Sequence, residues 1–432
     1  MTHGFRIDQD KCRGCLSCMR ACPTHAIRVR DGKARYIPEK CIDCGSCLKS
    51  CPYGAITATT WSFQDMDKFK FKVAVPSPVL FGQFPAGVTP AHIVQGLLSV
   101  GFDAVWDYGV ELFLASRAVL HYVENWKGPF PLISVSCPVV VRLVQVSYPR
   151  MIDQLIRLQI PREIAGREIK RRYAKELGLR PDEIAAVYIT PCQAKTISIL
   201  HPAEGVESHL NGALGISEVY NPILASANQQ RNGLPPPAEI PNIVRNSTFL
   251  GWSVREGLGR SLARHNSLHV TGLANIIQVF DDIEKGKLQN VEFLEAHSCW
   301  SGCTGGNLTV ANVYVTLSKL RSLVGDLPEM DAETLAEVNS RYPLEDFSLE
   351  APVLPRPIKG QSGDLREKVR LLQEAEAVLK TLPGYNCGLC GAPTCKEMAK
   401  DISAGEASKA DCVFFSKDRL SELYKRFLLN DR

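Results

Sequence analysis

The stretch "NVEFLEAHSCWSGCTGG", residues 290–306, decides how the chain is read. Its first half alternates apolar and polar residues, the pattern of a short strand. That strand runs straight into two cysteines, Cys299 and Cys303, set among small residues. Thiols this close suit a disulfide, a buried apolar pair or a metal cluster. Two other strand-like runs end the same way, "ISVSCP" at Cys137 and "YITPC" at Cys192, while "KFKVAV" ends in no thiol. Helix-like runs such as "PREIAGREIKRRYAKELG" (161–178) alternate with them. The alternation predicts an α/β domain with helices covering a sheet. In such domains ligands and catalytic groups gather beyond the carboxyl ends of the strands, so cysteines there are poorly explained as core packing.

The chain has 432 residues, a net charge of +4 and sixteen cysteines. Its length implies two to four domains. The charge is too small to imply a nucleic-acid or membrane partner. No apolar run reaches about 18 residues, so no transmembrane helix is expected. The opening "MTHGFRIDQDKC" lacks the apolar core of a signal peptide, which makes a cytoplasmic location the expectation. Disulfides are disfavoured there, and soft thiolates select iron–sulfur clusters or zinc.

The cysteines fall into three groups. "CRGCLSCMRACP" (12–23) and "CIDCGSCLKSCP" (41–52) each read C-x2-C-x2-C-x3-C-P, an internal repeat. In that pattern the fourth cysteine of each run reaches the neighbouring cluster. Cys12, Cys15, Cys18 and Cys51 are expected to hold one 4Fe–4S cluster, and Cys41, Cys44, Cys47 and Cys22 the other. Pro23 and Pro52 end each turn by removing a backbone donor. Zinc would instead call for C-x2-C pairs separated by a longer loop. The segment resembles a bacterial two-cluster ferredoxin over residues 1–60, whose work is to carry single electrons.

The last group, "CGLCGAPTCKEMAKDISAGEASKADC" (387–412), spaces Cys387, Cys390, Cys395 and Cys412 as C-x2-C-x4-C-x16-C. It resembles the small single-cluster domain of anaerobic electron-transfer and corrinoid proteins, and a zinc knuckle is the alternative. Before it, "EAPVLPRPIKGQSG" (350–363) reads as a linker. "REKVRLLQEAEAVLKTL" (366–382) reads as a helix. The predicted division is 1–60, 61–349, a linker at 350–365, and 366–432: a ferredoxin-like α+β domain, an α/β domain, and a small cluster domain.

The middle motifs carry a further resemblance. "SVSCP" (134–138), "TPCQAK" (190–195) and "EAHSCWSGCTGG" (295–306) are similar, in order, to the three motifs that build the H-cluster of iron-only (FeFe) hydrogenases. "GFDAVWDYGVE" (101–111) resembles the family's segment before the first motif. The resemblance implies that Cys137, Cys192, Cys299 and Cys303 ligate a cubane. Cys303 would also bridge to a two-iron subsite bearing carbon monoxide and cyanide, with Lys195 and Pro191 against a cyanide ligand. An ammonium suits an anionic ligand. The small residues around Cys299 are expected to let backbone approach a bulky inorganic group. Four cubanes of four cysteines account for all sixteen.

The chain departs from the family where protons move. Ser136 stands where hydrogen-producing members carry a relay cysteine, and Arg117 and Leu120 replace acidic residues. "CPVVVRL" lacks the first motif's tryptophan. Thr190 and His297 replace methionines, the second motif lacks its second lysine, and "GGNL" replaces a glycine and glutamine. Serine passes a proton but holds one poorly. The departures resemble a divergent, sensory branch of the family, with any signal output acting through a partner. Glu256 and Glu295 are the candidate replacement acids, against the reading of each as a structural carboxylate. His297 either tunes the site or is a satisfied core histidine.

Weaker signals are set aside. "HNSLH" (265–269) offers a histidine pair at helical spacing, but without a glutamate between them as in H-E-x-x-H. The basic run from Arg167 to Lys175 alternates with glutamates and reads as a solvated helix face. No Walker loop or complete G-x-G-x-x-G is present. The implied activity is the reversible conversion of two protons and two electrons to dihydrogen, slow and directed to sensing. Its partners would be a ferredoxin or signalling protein and maturation enzymes. The alternative is an electron-transfer or cluster-assembly protein without the two-iron subsite.

Overall fold

In a computed structural model the described residues are 3–231, 247–254, 257–258, 266–341, 347–356 and 365–415. Contacts divide the chain into two units. The larger spans the described residues between 59 and 355, and the smaller joins residues 3–58 to the described chain from Arg356 onward. The sequence division places the first and last segments in separate domains, whereas the structure joins them in one unit. Residues that read as the start of a linker also belong to the larger unit. Val353 is only 7% exposed, and the Leu354 carbonyl accepts a hydrogen bond from Gln145 Nε2 at 2.7 Å. Proline and glycine signal irregular backbone, which is not the same as unpacked backbone.

The described residues of the smaller unit include four strands: β1 (Phe5–Ile7), β2 (Ile27–Arg30), β3 (Lys33–Tyr36) and β4 (Ile56–Ala58). β1 pairs antiparallel with β4 and β2 with β3. The β2–β3 hairpin turns at Asp31-Gly32, both at positive φ, the type I′ geometry that matches strand twist. Its core consists largely of the cysteines themselves with Phe5, Met19, Ala26, Ile27, Val29 and Ile56. So small an apolar core is characteristic of units that rely on metal for stability.

The larger unit holds two parallel sheets. The first has strand order β6-β5-β8-β9, with β5 (Phe71–Pro76), β6 (Ala104–Val105), β8 (Ile184–Thr190) and β9 (Gly212–Gly215). The second has order β10-β11-β7, with β7 (Leu132–Ile133), β10 (Ser267–Thr271) and β11 (Phe293–His297). Every residue of β8 is buried, as expected for a strand covered on both faces. Helices 90–99, 161–177 and 216–231 join the main core around β5 and β8. A second core gathers about the helix Gly109–Asn125.

Candidate metal centres and the cavity beside them

Three small cavities in the smaller unit each collect one cysteine quartet. One of about 340 Å³ is lined by Cys12, Cys15, Cys18 and Cys51. Another, of about 320 Å³, is lined by Cys22, Cys41, Cys44 and Cys47. The third, of about 340 Å³, is lined by Cys387, Cys390, Cys395 and Cys412. The exchange of the fourth cysteine between the two repeats is thus present in the fold. Burial, and then the neighbouring thiols, push Cys18 up to about 11, and burial pushes Cys44 up to about 11. Closely packed thiols resist ionising together, and a bound cation relieves that. Backbone amides already point at these sulfurs: Ala34 N–H donates to Cys12 at 3.3 Å, Ala26 to Cys22 at 3.2 Å, and Ala55 to Cys51 at 3.3 Å. Such donors suit a negatively charged cluster.

In the larger unit the three motifs follow three strand ends on two sheets. Cys137 lies beyond β7 and Cys299 beyond β11, neighbours in one sheet. Cys192 follows β8 of the other sheet. Cys192 feels the charge of both Cys303 and Cys137, although burial is the main effect and raises its pKa. Cys137 Sγ lies 3.5 Å from the hydroxyl of Ser298, next to Cys299. Lys195, on the helix Gln193–Leu200 that starts just after Cys192, donates from Nζ to Cys303 Sγ at 3.0 Å.

Gly305 and Gly306 have a different role from the one expected. A Cβ on Gly306 would overlap the carbonyl oxygen of Pro191, and one on Gly305 that of Trp300. The Pro191 carbonyl instead accepts the Leu308 N–H at 2.9 Å. These glycines let the third motif close onto itself and onto the second motif, so it is protein backbone that they admit.

Cys303 opens into a cavity of about 740 Å³ that Ser136, Lys195, Glu295, His297, His269, Tyr108, Tyr188 and Arg162 also line. His269 and Glu295 are register partners on β10 and β11, and His297 follows two residues on. Alternate strand residues share a face, so all three lie on one face of the sheet. Burial, then the nearby Lys195 and His269, push His297 down to about 3 and hold it neutral. Burial raises Tyr108 well above the ordinary phenol range, assisted by Tyr188, with which it is hydrogen-bonded. Two buried nitrogens among these residues, His297 Nδ1 and Arg162 Nε, have no hydrogen-bond partner.

Of the residues expected at the site, Ser136, Lys195, Glu295 and Cys303 meet at this cavity, and Pro191 lies behind it against Gly306. Glu256 and His265 lie outside the described residues. His269 is on a strand, so the pair with His265 is not a helical one. Arg162, Tyr108 and Tyr188 carry no sequence signal for this cavity, and His269, set aside with its pair, lines it. Arg162 follows Pro161 at the start of the helix Pro161–Leu177, and no local pattern marks it for a site.

Residues 70–248 match the family model described as iron only hydrogenase large subunit, C-terminal domain. Residues 5–52 match a 4Fe-4S dicluster domain, and 382–414 an Fe-S cluster domain. Over residues 70–248 the chain is similar to the iron-only hydrogenases. The hydrogenase-like chain is 29% identical over 219 residues to the periplasmic [Fe] hydrogenase large subunit of Nitratidesulfovibrio vulgaris, covering 46% of this chain and 52% of that one. It is 23% identical over 298 residues to the nuclear prelamin A recognition factor of Mus musculus, covering 56% and 64%. It spans less than two thirds of the length of these curated relatives. The [FeFe]-hydrogenase of Chlamydomonas reinhardtii shares its fold at a TM-score of 0.50 and 17% identity, over 68% of this chain and 98% of that one. No helix among the described residues is long and apolar enough to cross a membrane.

Proposed function

We propose that this iron–sulfur oxidoreductase-like chain interconverts protons, electrons and dihydrogen at an H-cluster, at a low rate suited to sensing. The observation that carries the reading is the convergence on one cavity of Cys303, its partner Lys195, and the side chains of Arg162 and His297, each with a buried nitrogen that makes no hydrogen bond, the Arg162 one lying 3.9 Å from Glu163. Buried donors without acceptors are costly, and an anionic group with several acceptor atoms satisfies them. Cys137, Cys192, Cys299 and Cys303 would hold a cubane beside that cavity, with Cys303, the one of the four that lines it, shared with a two-iron group. When bound, that group supplies the redox and dihydrogen chemistry, and the protein supplies binding, orientation and proton handling.

The chain's own residues divide that work. Lys195 fixes charge at Cys303. Ser134 donates to the Ser136 hydroxyl at 3.1 Å, which leaves the Ser136 proton free to point into the cavity. Ser136 and Glu295 are the proton-passing groups we assign, and Glu256 remains a third candidate. A hydroxyl in place of a thiol makes the final transfer slow. Val79, Leu112 and Val254 supply an apolar part of the cavity wall. The three smaller-unit quartets would carry electrons to and from a ferredoxin or signalling partner. Cysteines grouped as cluster ligands suit the reducing cytoplasm, where we place the protein.

A second reading is an electron-transfer or cluster-assembly protein that keeps the cubane without the two-iron group. It is favoured by the want of a relay thiol at Ser136. Dihydrogen-dependent reduction of a viologen by the matured protein distinguishes the readings. Slow turnover supports the first and none supports the second.

A further inference from the structure

The two ends of the chain meet at their metal sites. Strand β2 contributes Ile27 to the wall of the Cys22/Cys41/Cys44/Cys47 cavity and Val29 to that of the Cys12/Cys15/Cys18/Cys51 cavity. The Val29 N–H donates to the carbonyl of Gly391 at 2.9 Å, in the loop between Cys390 and Cys395. Gly391 has φ +81°, and a Cβ there would overlap the Val29 carbonyl oxygen, so only glycine allows this approach. Arg30 donates to the Cys390 carbonyl, and Arg20 to the Cys387 carbonyl at 3.1 Å. Met19, the residue after Cys18, packs at Gly388.

A buried charge network fixes this contact. Arg28 binds Asp401 through Nε at 2.6 Å and a second nitrogen at 2.9 Å, and Glu397 at 2.8 Å. Arg30 joins Asp401 at 2.8 Å, and Lys40 joins Glu397 at 2.7 Å. The side chains of Arg28, Glu397 and Asp401 are 7%, 6% and 5% exposed. Both acids lie on the helix Cys395–Ser403, whose first residue is itself one of the quartet. Burying this many charges is tolerated only in a fixed, fully paired geometry. A tethered bead that merely stayed nearby would not need it.

We propose that the C-terminal quartet is the redox neighbour of the Cys12/Cys15/Cys18/Cys51 site, joined to it through the Val29–Gly391 hydrogen bond. The two N-terminal sites share strand β2, which lines one with Val29 and the other with Ile27, so the three sites make up one conductor in which the C-terminal quartet hands on through the first N-terminal site. The inference rests on the cluster assignments above. One electron is lost by one site and gained by its neighbour, with no proton or co-reactant. Electron tunnelling falls steeply with distance, which gives the rigid clamp its purpose.

The test uses the full chain, reconstituted with iron and sulfide, reduced with dithionite and read by electron paramagnetic resonance. Iron content establishes loading first. With the second site disabled (Cys44→Ser with Cys47→Ser), the reduced protein is expected to keep a spin–spin-split signal that Cys390→Ser collapses to a simple one. With the first site disabled instead (Cys12→Ser with Cys15→Ser), Cys390→Ser is expected to remove its own signal without changing the shape of the rest. Glu397→Gln with Asp401→Asn, made in the chain whose second site is disabled, retains every cysteine of the other two sites and is expected to lose the splitting at unchanged iron content. Splitting between the C-terminal and second sites, or none with the first and C-terminal sites both loaded, overturns the pairing. A wild-type chain whose C-terminal quartet takes up no iron overturns the cluster assignment there, and the pairing with it.

Discussion

The Lys195 ammonium stands 3.0 Å from Cys303 Sγ, 108 residues away in sequence, and ties the second motif to the third. Burial by itself would weaken its hold on its proton, but the neighbouring sulfurs of Cys303 and Cys192 outweigh burial and hold it above the ordinary lysine range. Lys195→Met keeps much of the volume and removes the charge. The expected outcome is a cubane that still loads, and retention of the two-iron group weakened by about 1.5–3 kcal/mol, roughly ten- to a hundredfold. Iron content and infrared intensity of the matured variant check it.

Gly306→Ala places a methyl group on the Pro191 carbonyl. Overpacking against rigid backbone is expected to cost about 1–3 kcal/mol and to separate the two motifs. Gly325→Ala is the control, since nothing lies within 4 Å of a Cβ there and the position is within the helix Val313–Asp326. It is expected to be neutral or stabilising by up to about 1 kcal/mol. Thermal denaturation of both variants, with iron content, reads the difference.

The exchange of fourth cysteines gives an assignable result. Cys22→Ser is expected to remove about four irons and impair the site of Cys41, Cys44 and Cys47, leaving the one that shares its sequence run. Cys51→Ser is expected to do the reverse. Resonance spectra of the reduced variants separate the two sites.

His209 is half-buried, and burial lowers its pKa in spite of the neighbouring Glu163. A histidine depressed on folding binds its proton more readily when unfolded. Stability is therefore full above about pH 6.5, the ordinary histidine value, and falls as pH drops below it. His209→Gln is expected to lose less stability than wild type between pH 7.5 and 5.5. Denaturant midpoints at the two pH values measure this.

Much of this was legible in the sequence because metal ligation imposes spacing. The doubled C-x2-C-x2-C-x3-C-P run anticipates the quartets at the two N-terminal cavities, and "YITPC" anticipates the fully buried β8 with Cys192 just beyond it. What spacing cannot carry is contact between distant segments. Nothing local in "RVR" (28–30) marks Arg28 as the partner of Asp401, 373 residues on, so the two ends read as separate domains. Arg162 escapes notice for the same reason, and His269 draws notice only for a helical pairing it does not make. The role given to Gly305 and Gly306 was too narrow, because a small residue admits any close neighbour and the nearest is the chain's own carbonyl.

The central claim is that the cavity at Cys303 takes a two-iron group carrying carbon monoxide and cyanide. The most direct measurement is the infrared spectrum of the matured protein, in the window between amide and C–H absorption, with and without dihydrogen. The account requires bands there that shift on adding dihydrogen and shift again in His297→Met, whose ring nitrogen lines the cavity without a partner. A blank window in protein with all four cubanes loaded would contradict it.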